Sequence, residues 1–177
     1  MADERIAAAL KRMETVLARR PEIGLHEDAP ATARWEGGMR VVSTHSNGTC
    51  VSTDMPAELG GSGKQATPGW LFRAGLASCL TTRIVMAAAE EGIELTTLQI
   101  EARSRSDTRG LFGMSGDQGN VVGAGPSDMQ LLVRIGADGV SADRLRALVE
   151  YSHSRAPVGV AVREAVPVTL RIDVDAG

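Results

Sequence analysis

The sequence predicts a single α+β domain, and three observations support that prediction. The chain has 177 residues, a length that suits one domain and lets about 70% of the unfolded chain's surface be buried. Short segments rich in β-branched residues and bounded by turn residues indicate strands. One long apolar segment, residues 68–92, indicates a core helix between two groups of strands. Strands interrupted by a few helices are typical of a layered α+β fold.

The first predicted element is an amphipathic helix over residues 2–19. Its apolar side chains recur at helical spacing, and its basic side chains occupy other faces. The apolar set is Ile6, Leu10, Met13 and Leu17, and the basic set is Lys11, Arg12, Arg19 and Arg20. Pro21 ends the helix. We therefore expect residues 1–21 to form a helical extension that packs on one domain of residues 22–177.

Residues 31–53 predict strands that are joined by a tight turn. The segments 39–44 and 49–53 are rich in Val, Thr and Ser, and Asn47 and Gly48 lie between them. An Asn-Gly pair between two such segments is the strongest local signal for a hairpin.

The central helix is predicted to begin at Pro68 and to end before Gly92, because Pro is favoured in the first turn and Gly just past the end. Arg73 and Arg83 interrupt its apolar surface and argue against a membrane span. A patch of small residues on this helix would let a second backbone approach closely. The patch consists of Ala74, Gly75, Ala77 and Ser78.

Beyond the central helix, the pattern predicts three strands, a helix and a long loop. The loop, residues 106–128, contains six glycines and one proline, so we expect an exposed flap. Ser141 is the expected N-cap of the helix, which runs to about residue 154. Residues after Pro157 are expected to form a further turn or short helix. The predicted strands are residues 95–105, 130–135 and 166–174.

Composition excludes several classes of function. A net charge of −3 and 3% aromatic residues argue against a nucleic-acid-binding surface. The first residues contain no apolar stretch of the kind found in secretion signals, so we expect a cytoplasmic protein. His26, His45 and His153 are not spaced as metal ligands, and we expect neither a metal nor another cofactor.

The main question about function concerns the roles of the two cysteines. Cys79 lies within the central helix, where it is either inert filling or a reactive thiol in a shielded pocket. Arg83 follows one turn later on the same face and would favour the thiolate. Cys50 follows the hairpin turn and is either a plain strand residue or a thiol that resolves an oxidised Cys79. Arg40 is either a solvent-facing residue or a guanidinium that reaches a thiolate or an oxygen-rich substrate.

Two segments of the chain resemble the signature of the OsmC/Ohr family of osmotically inducible and organic hydroperoxide resistance proteins. They are residues 55–63, MPAELGGSG, and residues 67–82, TPGWLFRAGLASCLTT. The resemblance extends over roughly residues 30–175. Further matching segments are 93–95, 107–113, 153–158 and 166–168.

This resemblance implies an intertwined homodimer in which antiparallel-rich sheets wrap around two central helices. It also implies a thiol-dependent peroxidase that reduces organic hydroperoxides in oxidative-stress defence. Carried over by position, the nucleophile is Cys79, and its arginine partner is Arg40, with Arg34 as the weaker candidate. The expected partners are a second copy of the chain, an organic hydroperoxide or other small apolar molecule, and an external thiol reductant.

The chain departs from the family pattern at two positions. The carboxylate that orients the family's arginine falls at Gly69, and the family's resolving cysteine falls at Ala156. The usual disulfide therefore cannot form: Cys79 is either resolved by Cys50 or an external thiol, or acts in a chemistry that needs only one thiol. The alternative function is a non-catalytic dimer that binds a small hydrophobic ligand, with Cys79 as part of the pocket wall.

Overall fold

The computed structural model describes residues 2–175, which form two antiparallel sheets and a layer of helices. The helices are α1 (Ala2–Arg19), α2 (Pro68–Glu90), α3 (Thr108–Leu111), α4 (Ala142–Ser154) and α5 (Pro157–Arg163). The strands are β1 (Ala31–Trp35), β2 (Val41–His45), β3 (Cys50–Thr53), β4 (Leu95–Arg105) and β5 (Ser127–Ala137). The predicted α+β class is confirmed.

The N-terminal sheet has the strand order β1-β2-β3, and every pair in it is antiparallel. The predicted Asn-Gly turn joins β2 to β3. Gly48 adopts a φ of +90°, which favours glycine, and the side chain of Asn47 accepts a hydrogen bond from the N–H of Thr49. Within the described residues, no strand of this sheet packs extensively against a helix of the same chain.

The second sheet is the long β4–β5 hairpin, and α2 and α4 cover one of its faces. Alternate residues of both strands turn toward the helices, apart from an irregularity between Leu95 and Thr97. The core between the layers is built from aliphatic side chains, of which Leu80, Ile84 and Leu148 are almost fully buried. Burial of this kind stabilises the layer by roughly 1.5–3 kcal/mol for each large aliphatic side chain.

Helix α2 is the centre of the molecule. Thr67 caps its N-terminus by accepting a hydrogen bond from the N–H of Trp70, and Gly92 reverses the chain after its end with a φ of +66°. The helix is long and apolar enough to cross a membrane by composition alone, but it packs against β4, α4, α1 and α5 as a core helix. The extension α1 lies against α2.

The prediction of a strand at residues 166–174 is wrong: this strand does not form in the single chain. Residues 166–175 have no regular structure, and Val168, Leu170 and Ile172 are 94%, 80% and 77% exposed. The alternation of apolar and polar side chains is real, but a strand also needs a neighbour for its backbone groups. Among the described residues of one chain, none supplies that neighbour.

Candidate functional site

Cys79 lies on α2 where this helix meets the start of α5. Its sulfur is half-buried and accepts a hydrogen bond from the N–H of Val158 at 3.4 Å. An N–H donor directed at a sulfur stabilises a thiolate more than a neutral thiol. The thiol packs against the apolar core of the helical layer.

Two arginines flank one aromatic ring where α4 packs on α2. The guanidinium of Arg83 lies 5.3 Å from the ring centre of Tyr151, and that of Arg155 lies 4.8 Å from it. The side chain of Arg83 is 13% exposed, and its Nη2 lies 3.6 Å from a carboxylate oxygen of Glu90. Its Nη1 is buried without a hydrogen-bond partner. This cluster of Arg83, Tyr151 and Arg155 is named the arginine–tyrosine cluster below.

Arg40 lies at the end of the β1–β2 hairpin, in the N-terminal sheet. Its Nε is 3.5 Å from Glu36, which also pairs with Arg34 at 3.0 Å, so one carboxylate holds both candidate arginines. Among the described residues, no hydrogen bond or ion pair joins Arg40 to Cys79.

Asp54 is a buried carboxylate close to Arg40. Hydrogen bonds from the hydroxyl and main chain of Ser62 and from the N–H of Met55 hold the pKa of Asp54 below its ordinary value, and the charge of Arg40 acts in the same direction. A carboxylate bound by several donors stays ionised and fixes the loop that binds it. Asp54 therefore orders the glycine-rich loop that leads into α2.

Cys50 is exposed on β3, where its sulfur contacts the Thr44 hydroxyl and the carbonyl of Gly48, each at 3.5 Å. Both cysteines are free thiols in the structure. Because the sheet that carries Cys50 does not pack on α2 within one chain, the structure does not bring the two sulfurs together.

The two positions at which the chain departs from the family pattern are Ala156 and Gly69. Ala156 is 2% exposed, and it packs in the same core as Cys79, two residues before Val158. Gly69 lies in the first turn of α2, where a Cβ would sit 3.8 Å from Nη1 of Arg73. At these positions the chain thus has neither a second thiol nor a carboxylate.

An apolar cavity of about 470 Å³ opens between α2, β5, α4 and α5. Leu76 and Leu80, which flank Cys79 in the sequence, form part of its wall, and His153 and Arg163 lie at its polar end. Nη1 of Arg163 donates a hydrogen bond to the carbonyl of His153 at 3.3 Å. A cavity of this size and lining suits a small hydrophobic molecule.

Sequence reasoning missed Tyr151, Arg155 and Val158 as site residues. Each lies more than 70 positions from Cys79, and only the packing of α4 and α5 on α2 brings it close. The one local signal for this contact in the sequence is Pro157, which marks the start of α5. Among the described residues, no group of three or more His, Cys, Asp or Glu side chains could hold a metal ion.

Comparison with protein families identifies one match. The model of the OsmC-like protein family matches residues 61–171, which is more than half of the chain and includes α2, both strands of the second sheet and the arginine–tyrosine cluster. No protein with a curated description matches the chain.

Several solved structures share the fold. An OsmC-like protein from Mycoplasma pneumoniae has a TM-score of 0.64 at 15% identity, covering 78% of this chain and 89% of the other. An organic hydroperoxide resistance protein OsmC from Legionella pneumophila has a TM-score of 0.55 at 22% identity, with coverages of 78% and 91%. An organic hydroperoxide resistance protein from Elizabethkingia anophelis has a TM-score of 0.56 at 20% identity, with coverages of 78% and 90%. At these identities the likeness establishes the fold.

Proposed function

The chain belongs to the OsmC-like protein family, and on that premise we propose that it is a thiol-dependent peroxidase that reduces organic hydroperoxides, with Cys79 as the nucleophile. The observation that supports this proposal best is the hydrogen bond from the Val158 N–H to a half-buried sulfur on the central helix. A reactive thiol must be accessible, and Cys79 combines a partly exposed side chain with a backbone N–H donor at its sulfur.

The chemistry proceeds in two stages. The Cys79 thiolate attacks the distal oxygen of the hydroperoxide, the O–O bond breaks, and the alkoxide takes up a proton and leaves as an alcohol. Cys79 is thereby oxidised to a sulfenic acid. An external thiol then attacks the sulfenic sulfur and releases water, and a second thiol reduces the mixed disulfide.

The proposed peroxidase is a homodimer whose site is completed by the partner. Three features of the single chain support this. No atom lies within 4 Å of a Cβ built at Gly75, so the small-residue patch of α2 is open. Among the described residues, no strand of the N-terminal sheet packs extensively against a helix, and Val168, Leu170 and Ile172 of the C-terminal segment are exposed. In this dimer, the Arg40 hairpin of one protomer would approach the Cys79 of the other, while Arg83 acts from the same chain.

The proposed setting is the cytoplasm during oxidative stress. A mechanism that leaves Cys79 as a sulfenic acid depends on a supply of reduced thiols, which the cytoplasm maintains.

The test of this function is hydroperoxide consumption with a thiol reductant present. Cys79→Ser should reduce consumption of cumene hydroperoxide to the uncatalysed rate, because the attacking sulfur is gone. The matched variant Cys50→Ser should keep the wild-type rate, because Cys50 is exposed on the other sheet. A Cys79→Ser protein that still removes hydroperoxide would refute the proposal.

A second candidate function is favoured by the apolar cavity beside Leu76 and Leu80. In this alternative the protein binds a small hydrophobic ligand without turnover. An inert Cys79 would then alkylate slowly with iodoacetamide below pH 7, whereas a peroxidatic Cys79 would alkylate rapidly.

A further inference from the structure

We propose that Asp54 is a positioning residue for Arg40: together with Glu36, it holds the Arg40 guanidinium at the end of the N-terminal sheet in the orientation in which it acts on the peroxide. The proposal rests on the peroxidase function proposed above and adds a positioning residue to it. The first turn of α2, which includes Gly69, carries no acidic side chain that could take this role.

The first argument is the register of the N-terminal sheet. Val41 on β2 pairs with Thr53 on β3, so continuing this register by one position sets Arg40 opposite Asp54. On the other side, the N–H of Glu36 donates a hydrogen bond to the carbonyl of Arg40 at 3.0 Å. Directly opposite residues share a face of the sheet, with Cβ atoms about 4.5–5.5 Å apart. Arg40 is therefore the middle member of a row whose two outer members are acidic.

The second argument is that the Asp54 carboxylate is held rigidly. Asp54 is 4% exposed, its Oδ1 accepts a hydrogen bond from the N–H of Met55 at 2.7 Å, and its Oδ2 accepts one from the N–H of Ser62 at 2.9 Å and another from the Ser62 hydroxyl. The loop packs so closely that a Cβ at Gly61 would lie 2.8 Å from Oδ1. A charge that is already fixed in place can orient a flexible side chain without losing further freedom of its own.

The third argument is that Asp54 still has capacity for Arg40, whereas Glu36 is shared. A carboxylate offers about four lone-pair positions, and the three hydrogen bonds above use three of them. The hydrogen bonds from Ser62 lower the pKa of Asp54 most, and the charge of Arg40 lowers it further, so the guanidinium lies within electrostatic reach. Glu36 divides its charge between Arg34 at 3.0 Å and Arg40 at 3.5 Å. A second, fixed carboxylate therefore limits the directions that the Arg40 side chain can take.

The experiment is a double-substitution cycle between Asp54 and Arg40, with consumption of cumene hydroperoxide in the presence of dithiothreitol as the readout. Asp54→Asn keeps the size of the side chain but removes its charge, and all rates are measured well below the thermal midpoint of every variant. In the wild-type background this substitution should lower kcat at least about fivefold with little change in KM, because Arg40 is less often in place. In the Arg40→Gln background the same substitution should lower kcat less than about twofold.

The matched control is Ser62→Ala, which removes one hydrogen bond of Asp54 and loosens the same loop but leaves the carboxylate charged. It should lower the thermal midpoint and keep kcat within about twofold of the wild-type value. Two results would overturn the proposal, since each would mean that Asp54 only orders the loop. In one, Ser62→Ala lowers kcat as much as Asp54→Asn does; in the other, Asp54→Asn lowers kcat equally with and without Arg40.

A second measurement separates this proposal from the peroxidase function. If the wild-type protein consumes no hydroperoxide, the function proposed above is wrong, and the orientation of Arg40 is followed instead through its Nε–H signal in a proton–nitrogen correlation NMR spectrum. Arg40→Gln assigns this signal by removing it. Asp54→Asn should shift and broaden the signal, whereas Ser62→Ala should leave it near its wild-type position. A signal that Asp54→Asn leaves unchanged would overturn the positioning role.

Discussion

The helical layer and the N-terminal sheet of this chain differ in how much of their apolar surface a single protomer covers. In the helical layer, Ile84 and Leu148 are 0% and 1% exposed. In the N-terminal sheet, Trp35 is 70% exposed, and the C-terminal apolar segment is more exposed still. Large apolar side chains left in water indicate a missing partner surface. The helical layer therefore forms a buried core within the chain, whereas the N-terminal sheet and the C-terminal segment leave large apolar side chains exposed, as the proposed homodimer would require.

The residues of the candidate site are divided between these two regions. Cys79 and Arg83 lie in the helical layer, whereas Arg40 and Cys50 lie in the N-terminal sheet and its turns. In the proposed homodimer, such a site would depend on association for its full set of charges. Thiol reactivity and assembly are therefore separable properties that different substitutions should affect.

The largest effect is expected from charges placed in the C-terminal segment. Leu170→Asp combined with Ile172→Asp should convert the proposed dimer to a monomer, because two carboxylates cannot be buried without partners. Light scattering coupled to gel filtration should show the molar mass halved. The control is Gln118→Asp in the flap, which adds a carboxylate at an exposed polar position, and it should stay dimeric. A dimer that survives the double substitution would place the interface elsewhere.

A smaller effect is expected from loss of side-chain volume in the core of the helical layer. Ile84→Ala should lower the free energy of unfolding by about 2–5 kcal/mol, since the side chain is 0% exposed and leaves a cavity. The control Val121→Ala should change it by less than about 0.5 kcal/mol. Urea denaturation measures both, and equal effects would contradict the assignment of the core.

A third substitution tests the geometry next to Cys79. Ala156→Cys in a Cys50→Ser background should form a disulfide with Cys79 after one equivalent of hydroperoxide, because position 156 packs against the same core as the thiol. The mass should fall by about 2 Da. The control, Ala156→Cys combined with Cys79→Ser, should show no such loss of mass. If no disulfide forms in the test variant, positions 79 and 156 are too far apart for their sulfurs to be bridged.

The smallest effect concerns Asp54 and its dependence on pH. The folded-state pKa of Asp54 is lowered by its hydrogen bonds with Ser62, so its stabilising contribution is present above the unfolded-state pKa of about 3.9 and is lost as pH falls through the folded-state value. Asp54→Asn should therefore lower the thermal midpoint at pH 7, and the difference from wild type should shrink below pH 4. A difference that is independent of pH would show that the charge of Asp54 does not contribute.

The sequence predicted the elements that carry local signals and missed those that depend on packing or on a partner. Helix α2 and strand β4 were predicted from composition, Pro68 and Gly92, because caps and periodicity are local. The predicted strand at 166–174 has the right alternation but no neighbour within the chain. Cys79 could be found from its position in an apolar helix. The contact of Tyr151 with Arg83 and the hydrogen bond from Val158 to the Cys79 sulfur could not, because they depend on how α4 and α5 pack on α2.

The measurement that tests the central claim most directly is the intact mass of the reduced protein after one equivalent of cumene hydroperoxide. The account predicts a rapid, stoichiometric gain of about 16 Da, located on Cys79 by peptide mapping and absent in Cys79→Ser. A loss of about 2 Da would retain Cys79 as the nucleophile and identify Cys50 as its resolving partner, against the external thiol proposed above. An unchanged mass would contradict the account, because a thiol that does not react with hydroperoxide cannot be the nucleophile of this peroxidase.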